Sequence, residues 1–368
     1  MDVRLAYWTF RAPEANHTMP NKASTWKGLN RSLPGIADSR IRFAAWVLLA
    51  VTLLTLPRLL TDRYRSAIPE PGPRLPLGEF PLIITDAMGR QVRMPARPMR
   101  LVSMAPSVTE ALFVLGAGDR LVGRTRFCLY PAEALNVRAV GGLNDPTLEL
   151  LITFKPDLVL ATLLTPHEVV AQMESLKLKV AVLAFSGIVG SWQDMWSIAR
   201  LIDASPDQAE SLLSQERRLD KVRHLAREIA WSDRPRTLLL FGRQGYFSCG
   251  TGSFAGELIE LAGGNNLAAL TGASWPQLAR ESILKWDPQV IVIALYQGKT
   301  SMQTLEQEVM QNWQADPLWM ELSAVRHNRI HVIGDTWMTV PGPRMAESAE
   351  WLAARLHPGR FQSKQLAQ

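Results

Sequence analysis

The sequence predicts an α/β protein of two Rossmann-like lobes with parallel sheets, joined by one long backbone helix and preceded by an N-terminal membrane-spanning or signal segment. Three observations predict this. The phrase "LELLITFKPDLVLA" (Leu148 to Ala161) returns as "RESILKWDPQVIVIA" (Arg280 to Ala294), so that Glu149 and Glu281, like Pro156 and Pro288, stand 132 positions apart. Between the two copies, Ser205 to Trp231 holds no Gly and no Pro beyond Pro206. Ahead of both lies "FAAWVLLAVTLLTLP" (Phe43 to Pro57), fifteen residues without a charge.

Charge separates the N-terminus from the rest. Of the net +6, all falls in residues 1–65, which hold ten Lys/Arg against four Asp/Glu; the remaining 303 residues balance at 30 against 30. A neutral body argues against nucleic-acid binding, which wants a basic face. A basic leader suits the cytoplasmic side of a membrane. Residues 43–60, with Arg40 and Arg42 before them, are long enough to span if Arg58 snorkels to the interface. With no A-x-A cleavage site and no Cys for lipid attachment just after it, an uncleaved anchor is favoured over a cleaved signal. Residues 1–42 read as disordered and cytoplasmic, or as an overextended start with Met19 the later initiator. The spacer 61–80 is dominated by "IPEPGPRLPLGEFP" (Ile68 to Pro81), extended by its prolines. Residues 80–360 are therefore expected outside the cytoplasm.

The body has a βα rhythm. In "LIITDAMGRQVRMP" two alternating runs flank Met88-Gly89 and predict a hairpin. The N-terminal lobe, 81–204, then gives the strand "RLVSM" and a helix from "APSVTEALFVLGAG", with Ser107 and Glu110 as its capping box and Gly116 as its stop. The strands "LVG", "DLVLA" and "KVAVLAF" follow, with "HEVVAQMESLKL" as a helix between the last two. Apolar runs with little alternation suit strands buried on both faces.

The bridge, 205–232, opens with Ser205 as N-cap, Pro206 at the first position and Gln208 completing the box. Leu212, Leu219, Val222, Leu225, Ala226 and Ile229 make one apolar stripe. About 25 residues of helix span roughly 37 Å. The C-terminal lobe, 233–360, repeats the rhythm in "RPRTLLLFG", "GELIELAGGNN", "QVIVIAL" and "RIHVI"; 361–368 reads as a tail. In each lobe a short helix begins near a Glu and is stopped by a Pro turn that leads into a strand. Taken singly, each Glu is a helix-dipole carboxylate. Taken together, Glu149 and Glu281 form one outward acidic knob per lobe.

From about Ile84 to Pro358 the chain resembles the periplasmic iron-chelate and vitamin B12 binding proteins of ABC importers. The resemblance rests on ordered phrases: "TDAMGRQVRMP", "RLVSMAPSVTEALFVLGAGDRLVGRT", "YPAEA", "VGGLNDPTLELLITFKPDLVLA", "GTGSFAGELIELAGGNNLA", "SWPQLARESILKWDPQVIVI" and "PGPRMAE". It implies a substrate-binding component, not an enzyme, that carries cobalamin or another corrinoid, or an iron chelate, with haem as an alternative. It implies a permease dimer and its ATPase as partners, with Glu149 and Glu281 docking onto the permease. It implies a monomer with no resident cofactor, in the periplasm and tethered to the inner membrane by residues 43–60, or secreted after cleavage. A membrane-anchored sensor or scaffold that keeps the fold without transport is the alternative class.

The resemblance also places ligand contacts at Phe127, Leu143, Phe247 and Trp275, with Trp337 in a nearby cleft loop. Leu143 stands where corrinoid binders carry Trp. Aromatic walls suit large planar ligands. Arg124, Arg126 and Arg243 follow predicted strands, where arginines hold anionic groups if they point inward. Arg344 reads as structural. Tyr246 and His331 have the chemistry of haem-iron ligands, though nothing singles them out. Cys128 and Cys249 are expected as free thiols. No H-E-x-x-H, G-x-S-x-G or P-loop pattern occurs. "GAGDRLVG" lacks the third Gly of a dinucleotide loop and follows a helix.

Overall fold

The hairpin forms as predicted. In the computed structural model, β1 (Leu82–Thr85) pairs antiparallel with β2 (Gln91–Met94), and their alternation buries Leu82, Ile84, Val92 and Met94. The structure describes residues 80–243, 246–295 and 300–361. Residues 1–42, the expected anchor at 43–60, the spacer up to 79 and the tail from 362 lie outside the described residues. Among the described residues, no helix is long and apolar enough to cross a membrane. Asp86 organises the hairpin turn: its carboxylate accepts the N–H groups of Met88 and Arg90 at 3.0 Å and of Val182 at 3.2 Å. Burial alone would raise its pKa; the hydrogen bonds from Arg90 and Val182 outweigh it and hold the group below the usual range.

The N-terminal lobe runs β3 (Leu101–Ser103), α1 (Pro106–Val114), β4 (Leu121–Arg124), α2 (Leu148–Phe154), β5 (Leu158–Thr162), α3 (His167–Ser175), β6 (Val180–Leu183) and α4 (Gly187–Leu201). Its four strands are parallel in the order β4-β3-β5-β6. The strand–helix rhythm read from the sequence does not include α4, whose apolar residues Ile188, Trp192, Met195 and Ile198 are buried. The expected capping box at Ser107 and Glu110 does not form. Pro106 starts α1 with Ala105 as N-cap, which has no side-chain acceptor; Ser107 falls inside the helix, and Glu110 pairs with a distant arginine.

The bridge is α5 (Pro206–Arg227), 22 residues and about 33 Å, slightly shorter than expected because the chain turns after Glu228. Its capping box is present: Ser205 Oγ accepts the Gln208 N–H, and Gln208 Oε1 accepts the Ser205 N–H at 2.8 Å. The Gln208 amide also donates to the Gly116 carbonyl, which ties the end of α1 to the start of the bridge.

The C-terminal lobe runs β7 (Arg236–Phe241), β8 (Phe247–Ser248), α6 (Phe254–Leu261), β9 (Asn265–Asn266), α7 (Arg280–Trp286), β10 (Val290–Leu295), α8 (Met302–Gln314), α9 (Ser323–Arg326), β11 (Ile330–Gly334), α10 (Asp335–Thr339) and α11 (Met345–Leu356). Strands β11, β10 and β7 are parallel neighbours; β8 pairs antiparallel with the end of β7 and β9 parallel with its start.

Packing explains the unbroken apolar strands. Leu158 and Leu160 of β5 face one core, while Val159 and Ala161 face another; β10 divides in the same way between Val292 and Ile293. The inner cores of the two lobes are one cluster, continuous through Leu212, Leu219, Val222 and Ala226 of α5. Phe361, expected in the tail, is buried in this cluster beside His357.

The repeated phrase is a repeated structure. Helices α2 and α7 each have seven residues, each buries the third residue after N1 (Leu151, Ile283), and each ends in a left-handed residue, Lys155 (φ 45°) and Asp287 (φ 43°). The Pro that follows disfavours helical backbone in the residue before it, so both helices stop at the same place.

Candidate functional site

In parallel βα units the loops after the strand C-termini form the binding edge. In the N-terminal lobe that edge carries Thr125 to Tyr130 after β4, Leu163 and Leu164 after β5, and Phe185 after β6. Leu163 and Leu164 are 54% and 67% exposed, and Leu129 and Tyr130 are open as well. The other lobe supplies Gly242, Arg243 and Tyr246 between β7 and β8, Trp275, and the start of α10 after β11.

The residues expected at the cleft separate into groups. Phe127 is half-buried, with the Arg126 guanidinium 4.9 Å from its ring centroid. Leu143 is half-buried in the turn closed by the Gly141–Pro146 bridge. Phe247 packs on the inner core and pairs with Gln277; Trp275 is 48% exposed and its ring lies 5.8 Å from that of Phe241. Trp337 is half-buried in α10. Tyr246 is different. Its neighbour Phe247 faces the inner core, and Tyr246 packs instead on the outer core, edge-on to Trp319 at 5.6 Å. Together with Gly242, Arg243, Asn312 and Trp313 it lines a cavity of about 80 Å³ on that side.

The arginines are engaged by the protein itself. Arg124 is buried and donates to the carbonyls of Ala134 (2.7 Å) and Thr125 (2.9 Å), so it is not a cleft side chain. Arg126 forks onto both oxygens of Asp145 at 3.0 Å, and Arg243 donates to Glu308 at 2.9 Å. His331 hydrogen-bonds to Glu306 at 3.1 Å and meets Trp351 edge-on; burial lowers its pKa. Cys128 and Cys249 are both free and fully buried. Among the described residues, no group of three side chains is arranged to hold a metal ion.

Two contacts that the sequence did not reveal join the lobes at this edge. Glu110 of α1 and Arg344, ahead of α11, form a buried pair, Arg344 Nε to Oε2 at 2.9 Å and a terminal nitrogen to Oε1 at 2.5 Å. Glu257 of α6 accepts the Ile188 N–H at the start of α4, at 2.7 Å. Gly187 there has φ +61°, and a Cβ on it would fall 2.7 Å from the Glu257 carboxylate. The phrases "PSVTE" and "PGPR" marked the first pair, but nothing local connects them. A cavity of about 400 Å³ lies elsewhere, under the hairpin, lined by Thr85, Asp194 and Arg200 among others.

Glu149 and Glu281 are both exposed in the first turns of α2 and α7. The Thr147 N–H donates to the Val140 carbonyl and the Val140 N–H to the Arg124 carbonyl at the end of β4. The Leu278 N–H donates to the Tyr246 carbonyl ahead of β8, so α2 and α7 each start near the end of a strand of their own lobe.

The comparisons with known proteins agree with this architecture. A family described as periplasmic binding protein matches residues 101–336. A substrate-binding lipoprotein of an ABC transporter in Bacillus subtilis is 27% identical over 290 residues, 77% of this chain and 87% of that one. The vitamin B12-binding protein of Photorhabdus laumondii is 26% identical over 263 residues, 71% of this chain and 89% of that one. A solved periplasmic heme-binding protein from Roseiflexus has a TM-score of 0.58 at 24% identity, covering 72% of this chain and 99% of that one, and so has the same fold.

Proposed function

This chain belongs to the periplasmic binding protein family, and from that membership we propose that it captures a corrinoid such as cobalamin in the cleft between its lobes, 81–204 and 233–360, and delivers it to an ABC permease and its ATPase. At the coarser level, it is a substrate-binding protein of ABC importers for B12, haem or iron chelates, a transport component and not an enzyme. It works in the periplasm or in a membrane-anchored extracytoplasmic position. Tethering by residues 43–60 to the inner membrane is part of the proposal; it would raise the effective concentration near the permease.

One observation carries the choice of a corrinoid over an anionic chelate. The arginines that follow the strands, Arg124, Arg126 and Arg243, already donate to protein acceptors. Arg126 and Arg243 are already neutralised by Asp145 and Glu308, so an anionic ligand gains less from a new charge-assisted contact to them. Besides Arg126 and Arg243, the open side chains of the edge include Leu129, Tyr130, Leu163, Leu164 and Trp275. Such walls favour a large ligand of little net charge. Tyr246, on the outer core, does not favour a tyrosine-ligated haem. The chelate is cargo, and no resident cofactor is proposed. Docking by Glu149 and Glu281 onto permease cations completes the reading.

The test is spectroscopic. The protein is mixed separately with cyanocobalamin, haemin and a ferric hydroxamate, then desalted. Retention of the corrinoid band alone supports the proposal; retention of haemin or the ferric chelate in its place rejects it.

A further inference from the structure

We propose that Arg344 is a positioning residue of the ligand site: tied to Glu110 across the lobe boundary, it holds Tyr130 and Trp337, one ring from each lobe, as the aromatic floor on which the cargo rests. The floor rests on the reading that the cleft binds a large chelate; the positioning role does not.

Both ends of the pair arrive at binding edges. Glu110 lies in α1, which starts just after β3, and Arg344 follows α10, which starts directly at the end of β11. The loop before Arg344 is seated on α1: a Cβ on Gly342 would lie 3.4 Å from Glu110 Oε2 and 3.7 Å from the Ser107 Cα. Glu110 takes two of the guanidinium nitrogens and leaves the flat faces free. Those faces meet aromatic rings. The guanidinium carbon is 4.3 Å from the centroid of Tyr130 and 5.9 Å from that of Trp337, both within cation–π range.

The two rings reach this point on separate lobes, so their spacing is set by what joins them. A planar guanidinium gripped by a carboxylate is a directional joint, which an apolar contact is not. Burying an ion pair gains little net stability over apolar packing of the same volume. What it supplies here is fixed geometry. Tyr130 is 47% exposed, so much of its ring stays open while the cation lies against it. Ser348 Oγ donates to the backbone carbonyl of Trp337 at 2.9 Å and ties α10, which carries the other ring, to α11.

Two measurements test this. Spin labels are placed at Thr153→Cys in α2 and Lys285→Cys in α7, exposed positions on opposite lobes; the native thiols are fully buried and stay unlabelled. The distance distribution is read in ligand-free protein. The double variant Glu110→Leu/Arg344→Met leaves no lone buried charge, so it folds, yet it removes the joint. Its distribution is expected to broaden, with Arg344→Lys between it and wild type. An unchanged width in the folded double variant overturns the positioning role.

The second measurement compares Tyr130→Ala with Tyr130→Phe for binding of whichever chelate wild type retains among cyanocobalamin, haemin and a ferric hydroxamate. Loss of the ring is expected to weaken binding roughly tenfold or more, and Phe to stay within about threefold of wild type. Equal affinity of Tyr130→Ala and wild type overturns the floor. If the retained chelate is haemin, the corrinoid reading falls alone, because the distance measurement uses no ligand.

Discussion

Glu110 and Arg344, 234 positions apart, meet in a buried bidentate pair that links the first helix of one lobe to the last loop of the other. Breaking such a pair by removing one partner costs about 3–5 kcal/mol. The two single variants should differ. Burial raises the Glu110 pKa against the opposing pull of Arg344, so a lone Glu110 can take up a proton. A lone Arg344 cannot shed one. Glu110→Ala is therefore expected to lower Tm more than Arg344→Ala in thermal melts at pH 7, by on the order of 10 °C against wild type.

The docking reading predicts a separation of transport from binding. Reversing both knobs, Glu149→Arg with Glu281→Arg, juxtaposes like charges at the permease at a cost of several kcal/mol. Uptake by cells should fall roughly tenfold or more, while the purified variant keeps its affinity for the chelate. Uptake at the wild-type level would favour a sensor that uses the fold without transport.

Ser205 holds the start of the bridge. Its capping box satisfies backbone donors that Ala would leave open. Ser205→Ala should cost about 1 kcal/mol in urea unfolding, with ligand affinity unchanged because the cap lies at the end of α1 away from the binding edge.

Stability should fall as the pH rises through Glu260. Burial, reinforced by the Glu257 carboxylate and opposed by Arg234, raises its pKa from 4.5 to about 6. A folded-state pKa above the unfolded one favours the protonated folded protein. That contribution is complete below about pH 4.5 and is lost as the pH rises through 6, an effect of about 2 kcal/mol. Glu260→Gln should match wild type near pH 4 and exceed it in denaturant midpoint at pH 7.5. Identical pH profiles would show that Glu260 titrates normally.

The two thiols should be silent in the native state. Cys128 and Cys249 have no exposed surface, and burial pushes both thiols up, that of Cys249 far above the ordinary range. An aromatic disulfide reagent should find no reactive thiol in the folded protein and two after unfolding in guanidinium.

Much of the architecture is legible along the chain. The βα rhythm, the capped bridge and the duplicated helix–Pro–strand unit depend on signals within a few residues of each other. Lys155 and Asp287 turn left-handed ahead of their prolines, and Leu151 and Ile283 bury at matching offsets. The resemblance to chelate-binding proteins followed from the same ordered phrases. The helix at Gly187–Leu201 was less visible, since its Gly residues weaken the helical signal.

The local units and their order are written along the chain, because propensity, capping and periodicity act over one or two turns. The tertiary structure alone decided which side chains share a site. Phe247 packs on the inner core and Tyr246, left-handed at φ 44° just before β8, on the outer one. Glu110 makes no capping box, since α1 starts ahead of Ser107, and pairs instead with a buried cation from the other lobe. Leu163, Leu164 and Tyr130 are brought together as open side chains only once the parallel sheet sets the loops after its strands on one edge. A charge or an apolar side chain responds to whatever desolvates or pairs with it, and for Glu110 that partner lies 234 positions away.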